Sequence, residues 1–260
     1  AMGDMHAAVT GCGATRDHEP HLYLGTSSWL SFHMPGKRTD IRHNMAALPA
    51  ALPGRYFLAN EHETAGACLL HARDQLGLVD TLEELTDVAE TAPPGSHGLI
   101  YLPWLNGERT PVDDHTIRGG WNNLSLSTTR SDLVRSVLEG VAYNSRWLLD
   151  VVEKFVKRPL DGLNFIGGGA QSDLWCQMHA DVCDREVRRV AEPQHANTRG
   201  AAFVAWLALG RSTLDELNRS VSIEQTFTPD PTARAAYAPL YREFTKLYKA
   251  NKAIHRRLNS

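Results

Sequence analysis

The chain of 260 residues has only four cysteines, no apolar run long enough to span a membrane, and no concentrated stretch of one charge. Cys12, Cys68, Cys176 and Cys183 form neither a CxxC pair nor a zinc spacing with histidine. That excludes a disulfide scaffold and a zinc ribbon, and the four read as reduced, buried thiols of a cytoplasmic protein. The longest purely apolar run, Ala201 to Leu209, is too short to cross a bilayer, and no signal-peptide pattern opens the chain. Net charge is −3. Basic residues gather only at Lys246, Lys249, Lys252, Arg256 and Arg257, whose spacing suits a solvated helix face, so no nucleic-acid partner is expected. The twelve histidines contain no HxxxH and no HExxH, so no protein-held metal is expected either. A GxxxxGK[ST] phosphate loop is missing: Pro35-Gly36-Lys37-Arg38 lacks its first glycine and its hydroxyl residue.

What is present alternates between strand and helix patterns. His21 to Phe32 places β-branched and aromatic residues on both sides of Gly25-Thr26-Ser27-Ser28 and reads as a hairpin with a small, hydroxylated turn. Pro35 to Pro53 reads as irregular. Glu63 to Leu76 has helical spacing, with Cys68, Leu69, Ala72 and Leu76 on one side. Pro93-Pro94-Gly95 precedes a short strand over Gly98 to Leu102, and a loop is expected from Pro103 to Asn123. Thr129-Arg130-Ser131-Asp132 forms a capping box that starts a long helix through Leu133, Val137, Val141, Leu148 and Val152, with Pro159 beyond its end. Leu163 to Ile166 is a strand running into Gly167-Gly168-Gly169-Ala170 and a helix. Val187 to Val190 is another strand, and Asn197 to Leu209 is a helix of small residues suited to close packing. Tyr237, Tyr241, Phe244 and Tyr248 form an aromatic stripe on the last helix. This order predicts an α/β domain around a central sheet.

Three segments carry possible chemistry. A glycine run between a strand and a helix, as at Gly167-Gly168-Gly169, lets backbone N–H groups and the positive helix end face a polar or anionic ligand; a plain turn is the alternative. Ser172 stands where a dinucleotide fingerprint needs its third glycine, which disfavours an NAD site. The turn Gly25-Thr26-Ser27 offers N–H and O–H donors to phosphate oxygens, or is only a turn. Asp4, in Gly3-Asp4-Met5-His6, is either a proton acceptor for a substrate hydroxyl or a helix N-cap.

Taken in order, the segments GDMHAAVTGCGA, YLGTSSW, TAGACLL, GLIYLPWLNGERTP, LVRSVLEGVAYNSRWLL, FIGGGAQSDLWCQMHADV and TRGAAFVAWLALG resemble the C-terminal domain of the FGGY family of carbohydrate kinases, in its xylulokinase-like branch. The resemblance reaches about Gly210, and more loosely the aromatic C-terminal helix. It implies an actin-like, ribonuclease-H-like fold, residues 1–260 forming the nucleotide-binding domain of a two-domain sugar kinase. It implies ATP as phosphoryl donor and Mg²⁺ held mainly through ATP and the other domain. By the same resemblance Asp4 is the general base. Gly25 and Thr26, with Ser27 beside them, contact phosphates, Gly66 is a helix-start glycine near the nucleotide, and Gly168, Gly169 and Ala170 cup the adenosine. The polar position after that turn falls on Ser172 or Asp173.

Met5 departs from the family's Asn or Gln beside the base, so the sugar contact differs there. Glu108 and Arg109 suit a loop-bracing ion pair. An N-terminal domain of the same protein, carrying the other phosphate loop and most sugar contacts, is the implied partner, with a small-molecule sugar as substrate and a homodimer allowed. Alone, the chain is expected to be inactive. The opening Ala1-Met2-Gly3-Asp4, with no initiator at its first position, suits a cut or altered end. A stand-alone, non-catalytic nucleotide-binding or regulatory module is the alternative.

Overall fold

The computed structural model describes residues 3–259. The chain opens on α1 (Asp4–Gly11) and the hairpin of β1 (His21–Leu24) and β2 (Ser28–Ser31), then forms β3 (His33–Met34), β4 (Thr39–Asp40), β5 (Met45–Pro49) and β6 (Tyr56–Ala59). Helices α2 (Gly66–Asp74) and α3 (Leu82–Glu90) lead to the paired strands β7 (Ile100–Leu102) and β8 (Gly120–Asn122), and to the long helix α4 (Arg130–Val156). The remainder alternates β9 (Gly162–Ile166), α5 (Asp173–Cys183), β10 (Glu186–Val190), α6 (Ala196–Ala208), α7 (Leu214–Arg219) and β11 (Ile223–Phe227), and closes on α8 (Pro231–Asn259).

The main sheet has the order β11-β10-β9-β1-β2. Its three inner strands are parallel, and β2 and β11 run antiparallel at the two edges. Successive residues of a strand face opposite ways, so each strand serves two cores. Leu22, Leu24, Phe165 and Val187 join the large core with residues of α4 and α5, whereas Ile166, Val190 and Trp29 join a smaller one with Ala8, Cys12 and Ala196 of the α1–α6 side. Helices on both faces explain why every residue of β9 is buried.

Helices α1 and α6 cross closely because glycines meet there. A Cβ on Gly200 would lie 1.8 Å from the Ala7 carbonyl oxygen, and one on Gly11 would lie 2.1 Å from that of Ala196. The contacts pair Ala196 with Gly11 and Gly200 with Ala7, so the helices run in opposite senses, and the C-terminal half of α6 heads toward the Asp4 end of α1. Helix α4 starts on the expected reciprocal cap: the Thr129 N–H donates to Asp132 Oδ2 at 2.9 Å, and the Asp132 N–H donates to Thr129 Oγ1 at 3.2 Å. All four aromatic residues of the α8 stripe are buried, and Arg135 of α4 donates to the Tyr237 hydroxyl at 2.8 Å. The four cysteines are free and buried.

Several expectations change. The segment from Pro35 to Pro53 is not irregular: it supplies β4 and β5 to an antiparallel sheet of order β3-β6-β5-β4. Its strands are short, and Ala46, Ala47 and Pro49 give no β-branched signal. The helix placed over Glu63 to Leu76 spans Gly66–Asp74, and Leu76 is exposed rather than buried. The loop from Pro103 to Asn123 ends in β8, paired with β7. Helices α3 and α7 and strand β11 complete the fold without having been read. No helix among the described residues is long and apolar enough to cross a membrane.

Candidate functional site

The turn between β1 and β2 is held by its carbonyls. The Gly25 carbonyl accepts from Gly66 N–H at 2.8 Å, the Thr26 carbonyl from Ala65 and Ala67 N–H at 2.8 and 3.1 Å, and the Ser27 carbonyl from Gly25 N–H at 2.9 Å. The Thr26 and Ser27 N–H groups find no acceptor among the described residues. All three carbonyl acceptors of the turn are thus consumed by the protein, and its free backbone groups are donors only. Gly66 is glycine for a steric reason: a Cβ there would lie 2.5 Å from the Gly25 carbonyl oxygen, which would push the turn off the start of α2.

A second set of donors comes from the end of β9. Gly167 takes φ 93°, with Leu24 backbone so near that a side chain has no room, and the chain passes into a single tight helical turn over Gly168–Gln171. The first N–H groups of any helix lack partners within it, and those of Gly168 and Gly169 find none elsewhere among the described residues. Because β1 and β9 are adjacent parallel strands, this turn and the Gly25–Ser27 turn emerge at the same end of the sheet.

Between them lies a cavity of about 510 Å³. Gly25, Thr26, Gly66, Gly168, Gly169 and Ser172 line it together, with an apolar floor of Leu69, Leu138 and Trp175. Four predicted residues, Asp4, Ser27, Ala170 and Asp173, do not line it. Ser27 turns its hydroxyl to Glu61 at 3.2 Å, and Ala170 is fully buried beneath the turn. Asp173 pairs with Arg189, while Ser172 Oγ caps α5 by accepting from Trp175 N–H at 3.3 Å. Of the two polar positions left open after the glycine turn, Ser172 therefore faces the cavity. Sequence reasoning missed Gln171 and the outer wall, Leu82, Glu83, Leu85 and Thr86 of α3. The spacing Thr81-x-x-Glu84 was the available signal, since the Thr81 hydroxyl caps this helix.

Asp4 occupies the first position of α1, not its N-cap, which is Gly3. It is exposed, and its Oδ1 accepts from Met5 N–H at 2.8 Å. Tyr23, stacked on Trp29 with ring centroids 3.9 Å apart, feels that carboxylate. Burial, and then the Asp4 charge, raise its phenol above the ordinary value. Asp4 thus lies within electrostatic reach of the strand that leads into the Gly25 turn. Met5 packs against the smaller core and lines a separate polar hollow of about 470 Å³ with Asn44, Glu61 and Arg109.

Glu108 and Arg109 do not pair with each other. Arg109 bridges Glu61 and Glu63, while buried Glu108 accepts from Glu63 N–H at 2.7 Å, Arg109 N–H at 2.9 Å and Asn144 Nδ2 at 2.6 Å. Burial pushes its carboxyl up to about 8, and the three donors offset only part of that cost. The brace exists, through other partners than expected. Among the described residues no group of three His, Cys, Asp or Glu side chains is placed to hold a metal ion.

Residues 22–209 match the model of the FGGY family of carbohydrate kinases, C-terminal domain. The xylulose kinase of Escherichia coli K12 is 31% identical over 248 residues, 95% of this chain and 51% of that protein. The xylulose kinase of Lactococcus lactis is 30% identical over 260 residues, 98% of this chain and 51% of that protein. The ligand-bound xylulose kinase of Lactobacillus acidophilus superposes with a TM-score of 0.87 at 26% identity, covering 97% of this chain and 51% of that one. The chain therefore spans about half the length of the curated relatives it matches.

Proposed function

Because the chain belongs to the FGGY family of carbohydrate kinases, as its C-terminal domain with the actin-like fold, we propose that it supplies the nucleotide-binding half and the general base of an ATP-dependent kinase for xylulose or a related ketose or polyol. The observation that carries this reading is the donor-only edge of the Gly25–Ser27 turn, facing the free N–H groups of Gly168 and Gly169 across a cavity with an apolar floor. Anionic oxygens need donors without competing acceptors, and a purine needs an apolar slot beside them. Both needs are met within one hollow.

In this reading residues 1–260 are one domain, and the N-terminal domain of the same protein holds most of the sugar. ATP, when bound, supplies the phosphoryl group. The Thr26 and Ser27 N–H groups hold its phosphate oxygens, Gly168 and Gly169 hold its nucleoside end, and Ser172 stiffens that turn by capping α5. Asp4 keeps one carboxylate oxygen on Met5 N–H and has the other available to take the proton of the acceptor hydroxyl. Phosphoryl transfer depends mainly on positioning and on charge neutralisation, and Mg²⁺ would be held mainly through the ATP phosphates and the second domain.

The test is a screen of ketoses and polyols with the complete two-domain enzyme, ATP and Mg²⁺, run beside Asp4→Ala. Turnover of the variant is expected to fall at least about a thousandfold, with ATP affinity within about threefold of the parent. Near-normal turnover would remove Asp4 from the mechanism.

A further inference from the structure

The outer wall of the cavity, helix α3, carries no function in the reading above, yet it holds the most selective side chain of the lining. Besides Thr26 at the donor edge, the polar side chains facing the cavity are Glu83, Thr86, Gln171 and Ser172. Ser172 spends its oxygen on capping α5. Thr86 and Gln171 can each offer either a donor or an acceptor, so neither can tell an amino group from a carbonyl. Glu83 can only accept.

Its surroundings leave it free to do so. Its neighbour Glu84 is tied to Asp80 N–H at 2.7 Å and to Arg130 at 2.6 Å, whereas Glu83 has no hydrogen-bond or ion-pair partner among the described residues. Arg73, a cation within its electrostatic reach, is held by its own neighbour Asp74. Helix α3 also bears Glu84, Asp87 and Glu90 and no basic residue. Glu83 is the one carboxylate among the residues that line the cavity, and its charge repels phosphates and leaves them to the Thr26 side, which turns the base toward α3.

Resting on the nucleotide reading, we infer that Glu83 is a specificity-determining residue. It accepts a hydrogen bond from the exocyclic amino group of the bound nucleobase, and so selects adenine over a base that carries a carbonyl at that position. Leu82, the residue before it, is exposed and lines the same cavity. The mechanism is acceptor against acceptor: a carbonyl base would bring its oxygen against the Glu83 carboxylate, with no proton between them.

The experiment titrates this chain with the β,γ-imido analogues of ATP and of ITP by calorimetry. The two bases differ in the amino or carbonyl group that Glu83 is inferred to read. Wild type is expected to bind the adenine analogue about tenfold more tightly. Glu83→Ala is expected to weaken the adenine analogue about tenfold and to leave the inosine analogue within about twofold, which erases the preference. Glu83→Lys, which replaces an acceptor by a donor, is expected to invert it. Both substitutions sit on an exposed helix position, and unchanged circular dichroism will show that they fold. An adenine-to-inosine ratio that stays the same in both variants overturns the inference and leaves the nucleotide site standing. Absence of binding by either analogue to wild type overturns the nucleotide site, and the inference with it.

Discussion

Gly200→Ala sets two local rules against each other. In an isolated helix the change should stabilise by about 1 kcal/mol, because alanine is the better helix former. At the crossing of α1 and α6 the new Cβ would stand 1.8 Å from the Ala7 carbonyl oxygen and 2.6 Å from its carbon, where ordinary contact begins at 3.4 Å. The obstacles are backbone atoms, so no side-chain rotation relieves them and the helices must part. Overpacking of this kind costs about 1–3 kcal/mol, and a backbone-to-backbone clash belongs near the top of that range. The net expectation is a loss of about 2 kcal/mol, or roughly 4–8 °C in melting temperature for a domain of this size. Scanning calorimetry or circular dichroism on the purified variant reads it directly. Because α1 carries Asp4, a complete enzyme with this change should also lose about a hundredfold in turnover, from ångström-scale misplacement of the proposed base. A melting temperature equal to or above that of the parent would refute the argument, since it would mean the crossing has slack that the geometry denies.

Two further outcomes are expected. His21 and His62, lowered by burial to about 3, and His33 and His179, lowered to about 4, must remain neutral to stay folded. Their folded values lie below the unfolded one, so the unfolded chain binds more protons as pH falls through 6.5. Between pH 7 and pH 5 each costs about 1.9 kcal/mol of stability. Glu108 and Glu139, raised by burial to about 8 and about 7, run the other way and offset roughly half of the total. The urea midpoint should therefore be lower at pH 5 than at pH 7, and an equal or higher midpoint would contradict the buried, neutral histidines. Tyr237→Phe removes the acceptor of one Arg135 guanidinium nitrogen, buried beside Glu139, and should lower unfolding free energy by about 1–3 kcal/mol with an unchanged denaturant slope; no change in the midpoint would mean that water replaces the hydroxyl.

Legibility followed the strength of local signals. Helix α4 could be placed from its cap and apolar face because Thr129 and Asp132 act on each other within one turn. The β1–β2 hairpin and the glycine turn after β9 could be placed because only small residues suit backbone held so close to its neighbours. Strands β3 to β6 escaped because they are short and partly built of alanine and proline, and their pairing depends on distant neighbours. For the site, a contiguous motif was too coarse a guide. Ser27 and Ala170 directly follow residues that line the cavity, yet one faces Glu61 and the other the core. The α3 wall comes from elsewhere in the chain, and no local feature connects it to the turns it faces.

The cavity draws its donors from the β1–β2 turn and from the turn after β9, segments far apart in the chain and joined only through the pairing of β1 with β9. A bound nucleotide would therefore act as a removable staple, fastening two distant stretches at one end of the sheet. Staples of this kind work by mass action: ligand at a hundred times its dissociation constant adds about 2.7 kcal/mol to the folded state. Occupancy thus becomes a form of protection. Proteases that cut at openings of this end of the sheet would meet a more resistant chain whenever nucleotide is abundant, and a more vulnerable one when it runs short.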